Sequence, residues 1–242
     1  MKKIIIISIF FVFGIAVLAS TSTTGATGTI DFPNAYNLLE NNYSVSATLD
    51  RIESDARLGL MLQGGFIKQL EAGFKISSKD RSINKDLVKS NVKFQFVKEA
   101  DNPAMAIGFV ESDEALGYDD ENGTAYGYIV ASKRIGNFFS KGGNGDDGGL
   151  KLTGGLKYDE KKDWNFFSGA EFLVFQRVKL LSEFYSYNKY KNIGTVYEDS
   201  DRKMSFNLGG EFYTTDKITT KVFWRERNDS FGLSVTYIGI YK

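Results

Sequence analysis

A period of two runs through most of this sequence. Leu70, Ala72, Phe74 and Ile76 alternate with Gln69, Glu71, Gly73 and Lys75, and Val92, Phe94 and Phe96 alternate with Lys93 and Gln95. The same pattern returns at Leu150, Leu152, Leu156 and Tyr158, at Met204, Phe206, Leu208 and Phe212, and at Phe231, Leu233, Val235, Tyr237 and Tyr241. Successive side chains of a strand point to opposite faces, so this alternation specifies strands with one apolar and one polar face. Past residue 19 no window carries an apolar stripe at helical spacing.

The pattern predicts strands at 43–51, 56–63, 66–77, 87–98, 104–111, 125–135, 149–158, 165–175, 177–188, 203–213, 217–227 and 231–241. Most have the ~9–11 residues that cross a bilayer at a barrel tilt, where strands of soluble sandwiches average roughly five or six. Aromatics at 14% and 25 glycines against 2 prolines suit a closely paired sheet.

The connections alternate too. Counted from the first strand, the odd links are mostly polar and several are long (77–86, 112–124, 159–165, 189–202). The even ones are mostly short: Gly64-Gly65, 99–103, the neighbourhood of Gln176, and 214–216. Long loops at one end and tight turns at the other are the habit of bacterial outer-membrane barrels. One even link, 136–148, is long against this rule. The expected fold is therefore all-β: an antiparallel up-and-down transmembrane β-barrel of about twelve strands over residues 43–242.

Alternation does not say which face points inward, because a soluble barrel fills its interior with the apolar face and a membrane barrel reverses the two. Strand length favours lipid outside. So do aromatics near strand ends, as an interfacial girdle requires: Tyr43, Phe66, Tyr126, Tyr158, Phe166, Phe184, Tyr187, Phe212, Tyr237 and Tyr241. A third support is the N-terminus, where Lys2-Lys3 precede an apolar run that ends at Ala19 before Ser20-Thr21-Ser22. That is the layout of a cleaved secretory signal, 1–19. The run falls short of the ~20 residues of a spanning helix. Residues 20–42 are then expected as a periplasmic segment ahead of the barrel.

Several function classes lose their chemistry. Lys plus Arg and Asp plus Glu balance at 30 each, so no bulk field calls for nucleic acid. Cysteine is absent, which excludes disulfides and a lipidated cysteine, and histidine is absent, which removes the usual base of hydrolytic triads and the commonest zinc ligand. The expectation is a non-enzymatic protein with no catalytic residue, no metal and no cofactor. Gly142-Gly143-Asn144-Gly145-Asp146-Asp147 resembles the start of a calcium-binding repeat but occurs once, and reads as a turn. Asp119-Asp120-Glu121-Asn122-Gly123 misses the EF-hand spacing and reads as an acidic loop tip.

What remains is the polar strand face. If it lines a lumen, Glu71, Lys75, Lys89, Lys93, Lys151, Lys157, Glu183, Glu211, Lys221 and Arg225 face one another across it. Two readings stand: charge rings that tune an open pore, or ion pairs that fill a narrow barrel. Twelve strands lie between the packed eight and the open sixteen, which favours a filled lumen.

The segment Thr27-Gly28-Thr29-Ile30-Asp31-Phe32-Pro33-Asn34-Ala35 resembles the Thr-Gly-x-Ile-x-x-Pro-Thr-Ala opening of YjbH-like outer-membrane proteins linked to exopolysaccharide production, with Asn34 in place of threonine. Asn102-Pro103-Ala104-Met105-Ala106-Ile107-Gly108 and Tyr128-Ile129-Val130-Ala131-Ser132-Lys133-Arg134-Ile135-Gly136 resemble further family segments. Typical members are much longer, so the likeness covers only their first part. It implies an outer-membrane barrel that assists polysaccharide secretion, with the outer-membrane lipid, the barrel-assembly machinery and polysaccharide-export proteins as partners.

The functional expectation is a barrel in the cell outer membrane that serves envelope transport, as an aid to exopolysaccharide secretion or as a narrow pore. The rivals are a soluble secreted or periplasmic β-barrel that binds a ligand, and a structural or adhesive barrel whose Tyr187, Tyr190 and Tyr197 meet other surfaces.

Overall fold

A computed structural model describes residues 21–22, 26–52, 55–77, 87–112, 125–135, 149–159, 164–175, 177–193, 196–227 and 229–241. The predicted signal segment, the two acidic or glycine-rich motifs at 119–123 and 142–147, and the long link 136–148 lie outside the described residues.

Twelve strands among the described residues form one closed antiparallel barrel. They are β1 (Asn42–Ile52), β2 (Asp55–Ile67), β3 (Leu70–Ser77), β4 (Leu87–Val97), β5 (Ala104–Ser112) and β6 (Tyr126–Ile135). The second half comprises β7 (Leu150–Asp159), β8 (Trp164–Phe175), β9 (Val178–Ile193), β10 (Val196–Tyr213), β11 (Ile218–Arg225) and β12 (Ser230–Ile240). Each strand pairs with its neighbours in sequence, and β1 closes on β12 from Asn42↔Ile240 to Arg51↔Phe231. Closure leaves no strand edge unpaired. The ends of the first and last strands meet where the Tyr241 N–H donates to the Asn41 carbonyl at 2.9 Å.

The alternation resolves with its apolar face outward. Leu60 is 57% exposed and Leu58, Leu62, Phe74, Ile107, Leu156, Phe184, Leu208 and Val222 share that wall, while Glu71, Lys93 and Glu211 are 0% exposed. A soluble barrel would have the reverse. Outward aromatics gather at both rims: Tyr43 lies 6.1 Å from Tyr237 at one end, and Tyr158 lies 4.9 Å from Trp164 at the other. Two residues expected in that girdle turn inward instead. Tyr126 and Tyr187 occupy the inward register and pack against an apolar cluster inside the barrel.

Two boundaries differ from the sequence reading. The β2–β3 turn sits at Lys68-Gln69 and not at Gly64-Gly65. Gly65 is inside β2, where a Cβ would collide with the Leu38 and Leu39 carbonyls of a passing segment, so its glycine serves close approach and not a turn. The span 189–202, expected as a loop, continues β9 and β10 in register to Ile193↔Val196, with an irregularity at Asp199/Asp201. Its sequence mixes charged and polar residues with Tyr190, Ile193, Val196 and Tyr197 in no regular alternation, so no period of two marks it.

Candidate functional site

Residues 20–42 were expected as a periplasmic segment ahead of the barrel, yet 21–22 and 26–38 lie within it. Thr21 and Ser22 are buried, and 26–38 run into the lumen and return. The fold of this segment is local. Asn34 donates its N–H to the Thr27 carbonyl at 3.0 Å and Thr29 to the Phe32 carbonyl at 3.1 Å, closing a hairpin with Ile30-Asp31 at the tip. Gly28 faces Pro33 across it, and any Cβ at Gly28 would strike the Phe32 carbonyl, so this position admits only glycine.

The tip is held by one carboxylate. Glu183, on β9, accepts the main-chain N–H of Ile30 at 2.7 Å and those of Asp31 and Phe32 at 3.0 Å each. It also accepts the Thr29 hydroxyl at 2.5 Å and the Asn207 amide at 2.9 Å. Consecutive N–H groups converging on an anion form a nest, and here the anion belongs to the barrel wall. Asp31 completes the tip: Arg225 on β11 binds it through Nε at 2.7 Å and Nη2 at 2.8 Å, and reaches Asp50 at 3.2 Å with Nη1.

The root is held by an ion pair. Glu71 on β3 and Lys93 on β4 sit opposite in register, 2.7 Å apart and fully buried. Glu71 accepts the Thr27 N–H at 3.0 Å and the Leu38 N–H at 2.8 Å. Lys93 donates to the carbonyls of Asn34 at 3.2 Å and Tyr36 at 2.6 Å, and to the Thr27 hydroxyl. Beside it, Tyr36 donates its hydroxyl to Glu99 at 2.6 Å, under the Arg134 guanidinium 4.8 Å from the ring centre. Burial, then the neighbouring Glu99 carboxylate, pushes the Tyr36 phenol well above its usual range.

Between root and tip the hairpin is held by packing. Phe32 stacks on Phe167 at 4.9 Å and meets Tyr185 at 4.9 Å, while Ala35 joins Ala104, Ala106, Val110, Tyr128 and Val130. Burial of the Phe32 ring contributes roughly 1.5–3 kcal/mol. Ile30 packs separately against Leu181 and Phe223.

Five further wall charges form a ladder of alternating sign from β7 to β11: Lys151–Glu171 at 2.5 Å, Glu171–Lys179 at 3.8 Å, Lys179–Glu211 at 3.9 Å and Glu211–Lys221 at 3.8 Å. Lys221 turns its ammonium to the carbonyls of Thr21, at 2.8 Å, and Thr29.

The sequence-predicted lumen residues thus divide. Glu71, Lys93, Glu183, Lys221 and Arg225 touch the hairpin directly, and Lys151 and Glu211 belong to the ladder. Lys75 and Lys89 lie opposite one another on β3 and β4, and Lys157 sits 5.6 Å over the Phe32 ring. Sequence reasoning missed Glu171 and Lys179, which occupy the same inward register as their neighbours, and it missed Asp31, Asn207 and Tyr36. The signal for the hairpin was present in Gly28, Asp31 and Pro33, a turn composition, but nothing local to the sequence says that a turn will be enclosed by a barrel.

No family model matches the chain, and no curated protein does. Solved structures do. The KdgM porin superposes with a TM-score of 0.54 at 10% identity, over 80% of this chain and 98% of that one. It is also known in complex with disordered oligogalacturonate. The NanC porin superposes with a TM-score of 0.54 at 10% identity, over 83% of this chain and 100% of that one. A closed antiparallel barrel with its apolar face outward is the fold this chain shares with porins.

Proposed function

We propose that the chain is a non-enzymatic outer-membrane channel whose lumen is stoppered by its own N-terminal hairpin, and that it conducts when the hairpin withdraws. The outward apolar wall supports the membrane setting, since water would leave that surface unsatisfied. The observation that carries the stopper is Glu183, a wall carboxylate satisfied by three consecutive N–H groups of the hairpin tip. The role is envelope transport, and exopolysaccharide secretion is the process to which the resemblance at 27–35 points.

Planar-bilayer recording tests this with the intact chain and a variant lacking 26–38, both checked for folding by heat-modifiable migration. The intact chain is expected to stay closed, with rare openings, and the deletion to show stable conductance steps. A folded deletion variant that stays as closed as the intact chain would sink the proposal.

A further inference from the structure

Between residues 20 and 39 the chain carries one charged side chain, Asp31, and the hairpin places it at the tip. Water reaches it there. The Asp31 side chain is 21% exposed and that of Arg225, which holds it, 11%. Arg225 grips the carboxylate with two arms of its fork, Nε at 2.7 Å and Nη2 at 2.8 Å, the bidentate geometry that a guanidinium offers to any carboxylate. The third arm rests on Asp50 at 3.2 Å. Arg225 therefore keeps a wall counter-ion when Asp31 leaves.

The wall around the tip carries further cations. Lys75 on β3 and Lys89 on β4 point inward from directly opposite positions, an arrangement of like charges that weakens a sheet. Asp50 and Asp31 attract the Lys75 ammonium, and Lys89 and Arg225 repel it. Arg57 stands across from Asp50 in register, and Lys157 lies 5.6 Å over the ring of Phe32, next to Asp31 in the chain. Five cations thus stand around the tip, with Asp50 and Glu183 as carboxylates of the wall and Asp31 as the one that the stopper brings.

We propose that this ring of cations is a binding site for a solute bearing several carboxylates, and that Asp31 occupies it as a tethered stand-in. The inference rests on the stopper reading and names what the opened lumen takes up. The group that Arg225 holds is itself a carboxylate, so a solute carboxylate fits the same fork. Rings of lysine and arginine are also how pores favour anions. Further carboxylates of the same solute would meet Lys75 and Lys89, whose mutual repulsion an anion between them relieves. Asp31 and the solute exclude each other at Arg225, so filling the ring favours withdrawal of the hairpin, and each shifts the other by the same factor.

The test is isothermal titration of the full chain, folded in detergent at constant ionic strength, with tricarballylate as the probe. No conductance is read, so the outcome is separate from that of the channel experiment. The wild type is expected to bind weakly, because its own carboxylate competes at the roughly millimolar effective concentration of a short tether. Asp31→Ala, checked for folding by heat-modifiable migration, is expected to bind roughly tenfold more tightly or better. In that background Arg225→Gln and the double variant Lys75→Gln/Lys89→Gln should each take back roughly tenfold. The lysine variant relieves a like-charge opposition, so it is expected to fold. The inference is overturned if Asp31→Ala binds no more tightly than the wild type, or if its affinity survives the loss of Arg225 or of the lysine pair. Equal binding of the uncharged triamide of the probe, or displacement of the probe by sulfate at lower concentration, overturns it too.

Discussion

The tip and the root of the hairpin are both anchored to buried carboxylates, but by different physics. At the tip Glu183 has no cation in contact among the described residues, and its charge is satisfied by main-chain, hydroxyl and amide donors, while Arg225 serves Asp31. At the root Glu71 is paired with Lys93 inside the barrel wall, and the pair together grips Thr27, Asn34, Tyr36 and Leu38. Removing one charge from the tip leaves dipoles without their anion. Removing one from the root leaves an ion buried without its counter-ion, which is the costlier error. The root is thus built into the pairing of β3 and β4, whereas the tip is attached to the wall of β9 through its own main chain.

The largest effect should follow Lys93→Met, which strands Glu71 at full burial. A loss of about 3–5 kcal/mol in barrel stability is expected, read from urea unfolding followed by tryptophan fluorescence. The double variant Glu71→Leu/Lys93→Met should recover part of that loss, because the uncompensated ion is gone. If the single and double variants lose the same amount, the root is not held by its ion pair and the contrast with the tip collapses.

Glu183→Gln comes next. The glutamine oxygen can still accept from the tip, but the charge is lost and its amide would point two donors at other donors. The hairpin should lose about 1–3 kcal/mol of attachment while the barrel unfolds at nearly the same urea concentration as before. Single-channel recording should show more frequent openings. A fall in barrel stability as large as that of Lys93→Met would mean the tip, too, is part of the wall's own fold.

The legibility of these two regions in the sequence is uneven, for a reason. Glu71, Lys93 and Glu183 stand out because strand alternation puts them on the polar face, and that period drew twelve strands to within about four residues, except where β9 and β10 run on past 188 and begin before 203. Their partners were hidden. Asp31, Thr29 and Thr27 lie in a segment with no periodicity, and their contacts join residues as far apart as Asp31 and Arg225, which no local pattern encodes. Gly65 misled for the same reason: its glycine answers a clash with Leu38 and Leu39 across the lumen. Tyr126 and Tyr187 have the composition of a girdle, and only the register of β6 and β9 shows that they face in.

The smallest and most selective probe of the root is Tyr36→Phe. It removes one hydroxyl donor to a carboxylate that keeps the Arg134 N–H, and leaves the ring under the guanidinium. A hydrogen bond to a charged acceptor is worth about 1.5–3 kcal/mol, and the lower end applies here because Glu99 is partly solvated. The pH dependence reads the burial of the phenol and its bond to Glu99 together. The phenol of Tyr36 holds its proton in the folded state to a pH above its free value of about 10. A group whose folded pKa is raised contributes its full stability below the unfolded value, and loses it as pH rises toward the folded one. The stability gap between the wild type and Tyr36→Phe should therefore be constant up to about pH 9 and shrink above it. A gap that stays level through pH 11 would mean that the phenol is neither buried nor bonded to Glu99 in the folded protein.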